Sequence, residues 1–184
     1  MEKNRYIFDV KHGSPCFLYA PELHVKEMKN RAADMRQFEK YKERLGTKVT
    51  GRSFDKWQDM KYNKRDEYES LKKTYKTIGE IDRKSWTDSF KDKAKQSYYD
   101  FKNENIEMSS HAISRFLSRK DGTNGISYTF DDIVKQCDMP VNYIQADGRS
   151  VKYYNHTAVV YNKNNDTVVS IINRKNPKAD WRKI

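Results

Sequence analysis

The feature that most constrains this chain is a change of apolar period near residue 140. After Pro140 the apolar residues alternate every second position, which reads as β-structure. VNYIQ, SVKYYN, TAVVYN and TVVSII predict four strands, with ADGR and KNND as tight turns. Just upstream, SSHAISRFLSRK predicts a helix capped by Ser109 or Ser110. TFDDIVKQC predicts a second helix, opened by Thr129 with Asp132 in capping-box position. The expected class is therefore α+β. Residues 106–184 form a helix–helix–four-stranded antiparallel sheet module with its helices on one face.

Residues 1–105 read as a basic helical arm. The first 24 residues are irregular, because HGSPCFLYAPEL carries two prolines and a glycine. Val25, Met28, Ala32, Met35, Phe38, Tyr41 and Leu45 then step by three or four toward a stop at Gly46. SFDKWQDMKY is a short helix capped by Ser53, with Phe54, Trp57 and Met60 inward. DEYESLKKTYKTIG adds a helix ending at Gly79, and the segment from Lys84 to Asn105 adds another. With 36% hydrophobic and 34% charged residues, and a mean hydropathy of −1.09, the arm is expected to be elongated and poor in core.

The net charge of +11 points to an anionic partner, nucleic acid before a membrane surface. The C-terminal stretch RKNPKADWRKI is especially basic. No apolar run is long enough to span a membrane, and the N-terminus lacks a signal-peptide core. Cys16 and Cys137 make no disulfide framework, so a cytoplasmic location in the host cell is expected. His12, Cys16 and His24 match no common zinc spacing, and no acidic pair suggests a two-metal site. There is no glycine-rich phosphate loop, so neither a metal nor a cofactor is expected.

One constellation could carry chemistry. His111, Arg115 and Arg119 are spaced i, i+4, i+8 and share one helix face. Cleaving RNA without a metal needs a base, an acid and cations for the developing phosphorane charge. Histidine titrates near neutrality and arginine grips phosphate bidentately. Ser170, placed by period two on one face with Val168 and Ile172, would supply a hydroxyl from the last strand. Lys152, Tyr154, His156, Arg174, Lys175 and Lys178 are candidate nucleic-acid contacts. The pair Tyr153–Tyr154 puts one ring on each sheet face, one for the core and one free to stack on a base. The residues alone leave three readings open: catalysis, phosphate binding, or a solvated helix face, with His156 as a plain turn residue.

The order of SSHAISRFLSR, DDIVKQCDMP, GRSVKYYNHTAVVYN and DTVVSII resembles the phage members of the barnase–EndoU–colicin–RelE-like nuclease superfamily. NRAADMRQFEKYKERLG and SFDKWQDMKYNKRDEYESLKKTYK look like the linker of phage minor head proteins of the MuF type. HGSPCFLYAPEL is similar to the His/Cys/Pro-rich end of that head domain. The resemblance implies a catalytic His111, phosphate-binding Arg115 and Arg119, a last-strand hydroxyl at Ser170 and a basic strand residue at Lys152. The chain departs from that pattern in having little head domain and in reading VVSII where a threonine is usual.

Three functions follow as expectations. The first is a phage- or prophage-derived, toxin-type ribonuclease, independent of metal, acting on RNA by acid/base catalysis. The second is a catalytically inactive phage protein that binds nucleic acid, RNA favoured over DNA, or inhibits a host defence nuclease complex. The third is a structural accessory of the phage head.

Overall fold

The computed structural model describes residues 21–46, 53–122 and 125–184. His12 and Cys16 of the H-x3-C-x7-H array lie outside the described residues, while His24 falls within the first helix. The chain divides into two compact units between Tyr75 and Lys76.

The first unit is built from α1 (Pro21–Leu45), α2 (Phe54–Asn63) and the first part of α3 (Arg65–Asp82). Pro21 opens α1 because its missing N–H would be unpaired in the first turn anyway. Gly46 closes it at φ +73°, donating its N–H to the Lys42 carbonyl at 2.9 Å, a conformation that costs glycine little. Ser53 caps α2 by accepting from the Lys56 N–H, as the sequence predicts. The inward stripe of α1 runs through Asp34, Phe38, Tyr41 and Leu45, whereas Met35, expected inside, is 39% exposed.

This unit is richer in core than its apolar content suggests, because aromatic rings bury much area per residue. Trp57 is fully buried, with Phe38, Tyr41, Phe54 and Tyr68 within about 6 Å between ring centroids. Tyr41 stacks on Tyr75 at 4.2 Å. Beside the rings, buried Asp34 accepts from Lys61 Nζ at 2.6 Å, Tyr62 Oη at 2.7 Å and Gln58 Nε2 at 3.3 Å. Burial pushes the Asp34 carboxyl up, but hydrogen bonds from Lys61, Tyr62 and Gln58 and the Lys61 charge outweigh it, holding the group below the usual carboxylate range.

The second unit comprises the end of α3, α4 (Asp88–Asn103), α5 (Ser110–Arg119), α6 (Phe130–Asp138) and a five-stranded sheet. The strands are β1 (Tyr143–Ile144), β2 (Ser150–Tyr154), β3 (Thr157–Tyr161), β4 (Val168–Asn173) and β5 (Arg182–Lys183). They are antiparallel in the order β4-β3-β2-β1-β5. The α+β class holds, with a fifth strand that Arg182–Lys183 could not signal because it has no apolar alternation. No described helix is long and apolar enough to cross a membrane.

Two boundaries differ from expectation. α3 does not stop at Gly79 but continues to Asp82, because Ile78 and Ile81 extend the buried stripe on either side of it. The expected division at residue 105 falls inside the second unit, since α4 belongs with the sheet. Phe101 of α4 meets Phe116 of α5 at 5.0 Å and Phe130 of α6 at 4.6 Å between centroids.

α5 packs on β4, and α6 packs on β2 and β3. Thr129 and Asp132 form the predicted capping box of α6. The free edge of β4 is covered by the segment before α5: Val168 N donates to Glu107 O at 2.8 Å and Ser109 N to Val168 O at 2.9 Å. A bulge interrupts β4. Val160 pairs with Ser170 but Tyr161 pairs with Val168, so Val169 is an extra residue. Val168, Ile171 and Asn173 therefore face the helices, and Ser170 turns to the opposite face with Ile172.

Asp34→Ala removes the charge partner of a largely buried ion pair and should cost about 3 kcal/mol in urea denaturation at pH 7. The unfolded carboxyl titrates near ~4 and the folded one lower, so wild type carries this contribution in full above pH ~4. It loses the contribution as the pH falls through the folded value. The difference between wild type and Asp34→Ala should therefore shrink between pH 5 and pH 2, and a constant difference would contradict the assignment.

Candidate nucleic-acid interface

α5 places its side chains by a simple division. Ser109 caps it, accepting from Ala112 N at 3.1 Å, and Ala112, Ile113 and Phe116 are buried beneath it. His111 and Arg115 are left on the outward side, one turn apart. Arg115 Nε donates to His111 Nε2 at 3.4 Å, so His111 acts as an acceptor there. The helical row expected from the spacing is present.

The third member has a different task. Arg119 Nη1 donates to the Ile171 carbonyl of β4 at 2.9 Å, clasping the sheet edge. Burial and the neighbouring Arg115 guanidinium pull Arg119 below its ordinary value. An arginine nevertheless stays charged at neutral pH, so its remaining donors still present a cation.

A further cation joins the row from elsewhere. Lys84, exposed in the turn after α3, is close enough to act on His111. Partial burial, then Arg115, Arg119 and Lys84, all favour the neutral imidazole and hold His111 below its ordinary range. Among the described residues no carboxylate forms an ion pair with Lys84, Arg115 or Arg119. The nearest recorded carboxylate contact on α5 is Glu80, which accepts from Ser110 Oγ at 2.8 Å. Lys84 had no signal in the sequence, because it stands on another element and only folding brings it to His111.

The sheet residues do not converge on this row. Ser170 lies on the face turned away from α5, because the bulge at Val169 breaks the strict alternation that placed it with Val168. The last-strand hydroxyl expected from Ser170 is therefore not placed in one site with His111. Lys152 faces the helices, where Nζ donates to the Cys137 carbonyl at the end of α6 and lies 4.9 Å from the Tyr161 ring. Tyr154 is on that side too and donates to the Pro140 carbonyl at 2.8 Å. Both side chains are half-buried and make these contacts within the fold.

His156 is a turn residue. Asn155 at φ +46° and His156 at φ +62° form the tight β2–β3 turn whose twist matches the strands. Its Nδ1 is 2.8 Å from the Lys175 carbonyl, and its own carbonyl accepts from Arg174 N at 2.8 Å. These contacts bring His156, Arg174 and Lys175 together. Lys178 follows along the same segment, with Nζ 5.9 Å from the Trp181 ring.

Neither of two clefts formed by described residues of this unit is lined by His111, Arg115, Arg119 or Ser170. One, of about 740 Å³, carries Asp100, Glu104, Asp121 and Asp132 against the single cation Lys120, a net acidic lining. The other, of about 680 Å³, is bounded by Tyr154, Gln136, Met139 and Thr157. Among the described residues no group of three or more His, Cys, Asp or Glu is placed to hold a metal ion.

The geometry makes distinct claims for neighbouring arginines. His111 should titrate below about 6.5 by NMR, and Arg115→Ala should raise its pKa toward the ordinary value. Arg115→Ala should leave stability nearly unchanged, whereas Arg119→Ala should cost about 1–2 kcal/mol by leaving the Ile171 carbonyl without its donor. Equal stability losses in the two variants would contradict the division of roles. Compared with family models, with curated proteins and with solved structures, the chain matches none.

Proposed function

We propose that this chain is a nucleic-acid-binding protein of phage or prophage origin, gripping the phosphate backbone through the outward face of α5. The observation that carries the reading is that Arg115, Arg119 and Lys84 all act electrostatically on His111 and that, among the described residues, no carboxylate is ion-paired with them. Fixed cations without internal counter-ions attract an anionic chain, and the net charge of +11 steers it there. The row runs along the outward face of α5, with His111 exposed and Arg115 and Arg119 half-buried, an arrangement that a long polyanion can follow. RNA is favoured over DNA, and a host protein–nucleic acid complex, such as a defence nuclease, offers the same backbone chemistry.

One observation favours a second reading, metal-independent cleavage of RNA. His111 is held below its ordinary range, which favours the neutral imidazole that a general base needs, and its Nε2 would exchange the long Arg115 N–H contact for the RNA hydroxyl. Ser170 cannot be its partner from the opposite face, so the acid would have to come from the RNA or from solvent.

Binding of a labelled single-stranded RNA, measured by fluorescence anisotropy, tests the first reading. Three phosphate contacts on a single strand imply an affinity loss of roughly 20-fold between 50 and 200 mM salt. Charge reversal at Arg115 or Lys84 should weaken binding at least tenfold and flatten the salt slope. Binding that ignores both salt and charge reversal would overturn the reading. Incubation of total RNA with EDTA, beside His111→Ala, distinguishes the second. Cleavage that survives EDTA and vanishes in the variant would make α5 an active site.

A further inference from the structure

We propose that the two clefts of the second unit form one binding site for a linear polyamine. The site does not depend on the α5 grip and is opposite to it in charge. Ser127, Tyr128 and Asp132 line both clefts, so the two adjoin, and each is of the size that takes a small ligand. On a chain of net charge +11, their walls carry Asp100, Glu104, Asp121, Asp132 and Asp138 against Lys120 and Lys135. Among the described residues none of these five carboxylates is ion-paired. Asp100 is half-buried and the other four are exposed, so the walls are open to a ligand.

A buried acceptor adds to them. Gln136 lines the second cleft and is only 6% exposed. Its Nε2 donates to the Lys152 and Thr157 carbonyls, both at 2.7 Å. Two carbonyl acceptors on one nitrogen fix the orientation of the amide and use both of its donors. Oε1 is left as an acceptor that no described donor reaches and that is not sealed from the cleft. A ligand that brings an N–H satisfies it.

The distribution of charge specifies the occupant. Among the described residues no group of three or more His, Cys, Asp or Glu is placed to hold a metal ion, so the site does not suit a point cation. The carboxylates are spread from Asp100 and Glu104, at the end of α4, to Asp138, at the end of α6. A cation whose own charge is spread along a chain matches that layout. Apolar side chains stand between the carboxylates, Phe116 and Phe130 in one cleft and Met139 and Tyr154 in the other. A polyamine alternates ammonium groups with methylene spacers in the same manner. Its ammoniums meet carboxylates, Gln136 Oε1 and ring faces, and its spacers lie on the apolar side chains. Tyr128 and Tyr154 already donate their hydroxyls to the Arg115 and Pro140 carbonyls, so they offer rings and no competing donors. The lining strand residues Tyr154 and Thr157 belong to β2 and β3, whose edges are both paired within the sheet. No backbone edge is left there for an extended peptide.

The test is isothermal titration calorimetry of the full chain, freed of nucleic acid, with spermidine at low salt. Spermidine should bind saturably, and Mg²⁺ at equal ionic strength should not displace it. The double variant Glu104→Gln, Asp121→Asn should weaken spermidine binding roughly tenfold. Asp138→Asn, in the other cleft, should weaken it about threefold. All three residues are exposed, and circular dichroism should show each variant folded. Unchanged affinity in either variant overturns the site, as does the absence of saturable binding or equal competition by Mg²⁺. Amide resonances of residues 97–104 and 127–139 should shift on titration of wild type with spermidine. Shifts scattered over every exposed carboxylate of the chain report counter-ion condensation and overturn the proposal. An oligolysine peptide that displaces spermidine and binds far more tightly assigns the clefts to a basic protein partner and also overturns it.

Discussion

The packing of α5 on the edge strand β4 is the constraint on which the rest of the second unit depends. Ala112, Ile113 and Phe116 are almost without solvent contact beneath α5. A helix so seated has no rotational freedom, because turning it by one residue would expose Ile113 and bury a cation. The seat is reinforced at both ends. Ser109 joins the strand through its backbone N–H, and Arg119 clasps the Ile171 carbonyl. The outward presentation of His111 and Arg115 is thus a consequence of core packing.

The same packing explains why α4 belongs with the sheet. Phe101 contacts Phe116 of α5 and Phe130 of α6, so three helices share one aromatic contact. Aromatic pairs add directional stability to the area they bury. The chain uses the same device in its first unit, where Trp57 gathers the rings of three helices. A sequence with modest apolar content builds two cores this way, because few large rings replace many small aliphatic side chains. Long lysine and arginine side chains cover the outside, including Arg44 at 3.9 Å from the Tyr75 ring centroid.

The two faces of the sheet differ in kind. The helix-covered face takes up Lys152 and Tyr154, whose polar ends close off the end of α6 and the Pro140 turn. The other face keeps Tyr153 and the serine that the sequence pattern had placed elsewhere.

Local features were legible in the sequence because their physics is local. The Ser53 and Ser109 caps, the Thr129–Asp132 capping box, the row of His111 and Arg115, and the change of period after Pro140 each need only neighbours within a few positions. What tertiary structure alone decided concerns residues far apart in the chain. It carried α3 past Gly79, because buried Ile78 and Ile81 outweigh a glycine's helix penalty. It joined α4 to the sheet through rings that local composition does not link. It brought Lys84 within electrostatic reach of His111, diverted Arg119 to a strand carbonyl, and added β5 by pairing with β1. It also moved Ser170 across the sheet, since one extra residue in a strand exchanges its faces and no alternation pattern records where a bulge falls.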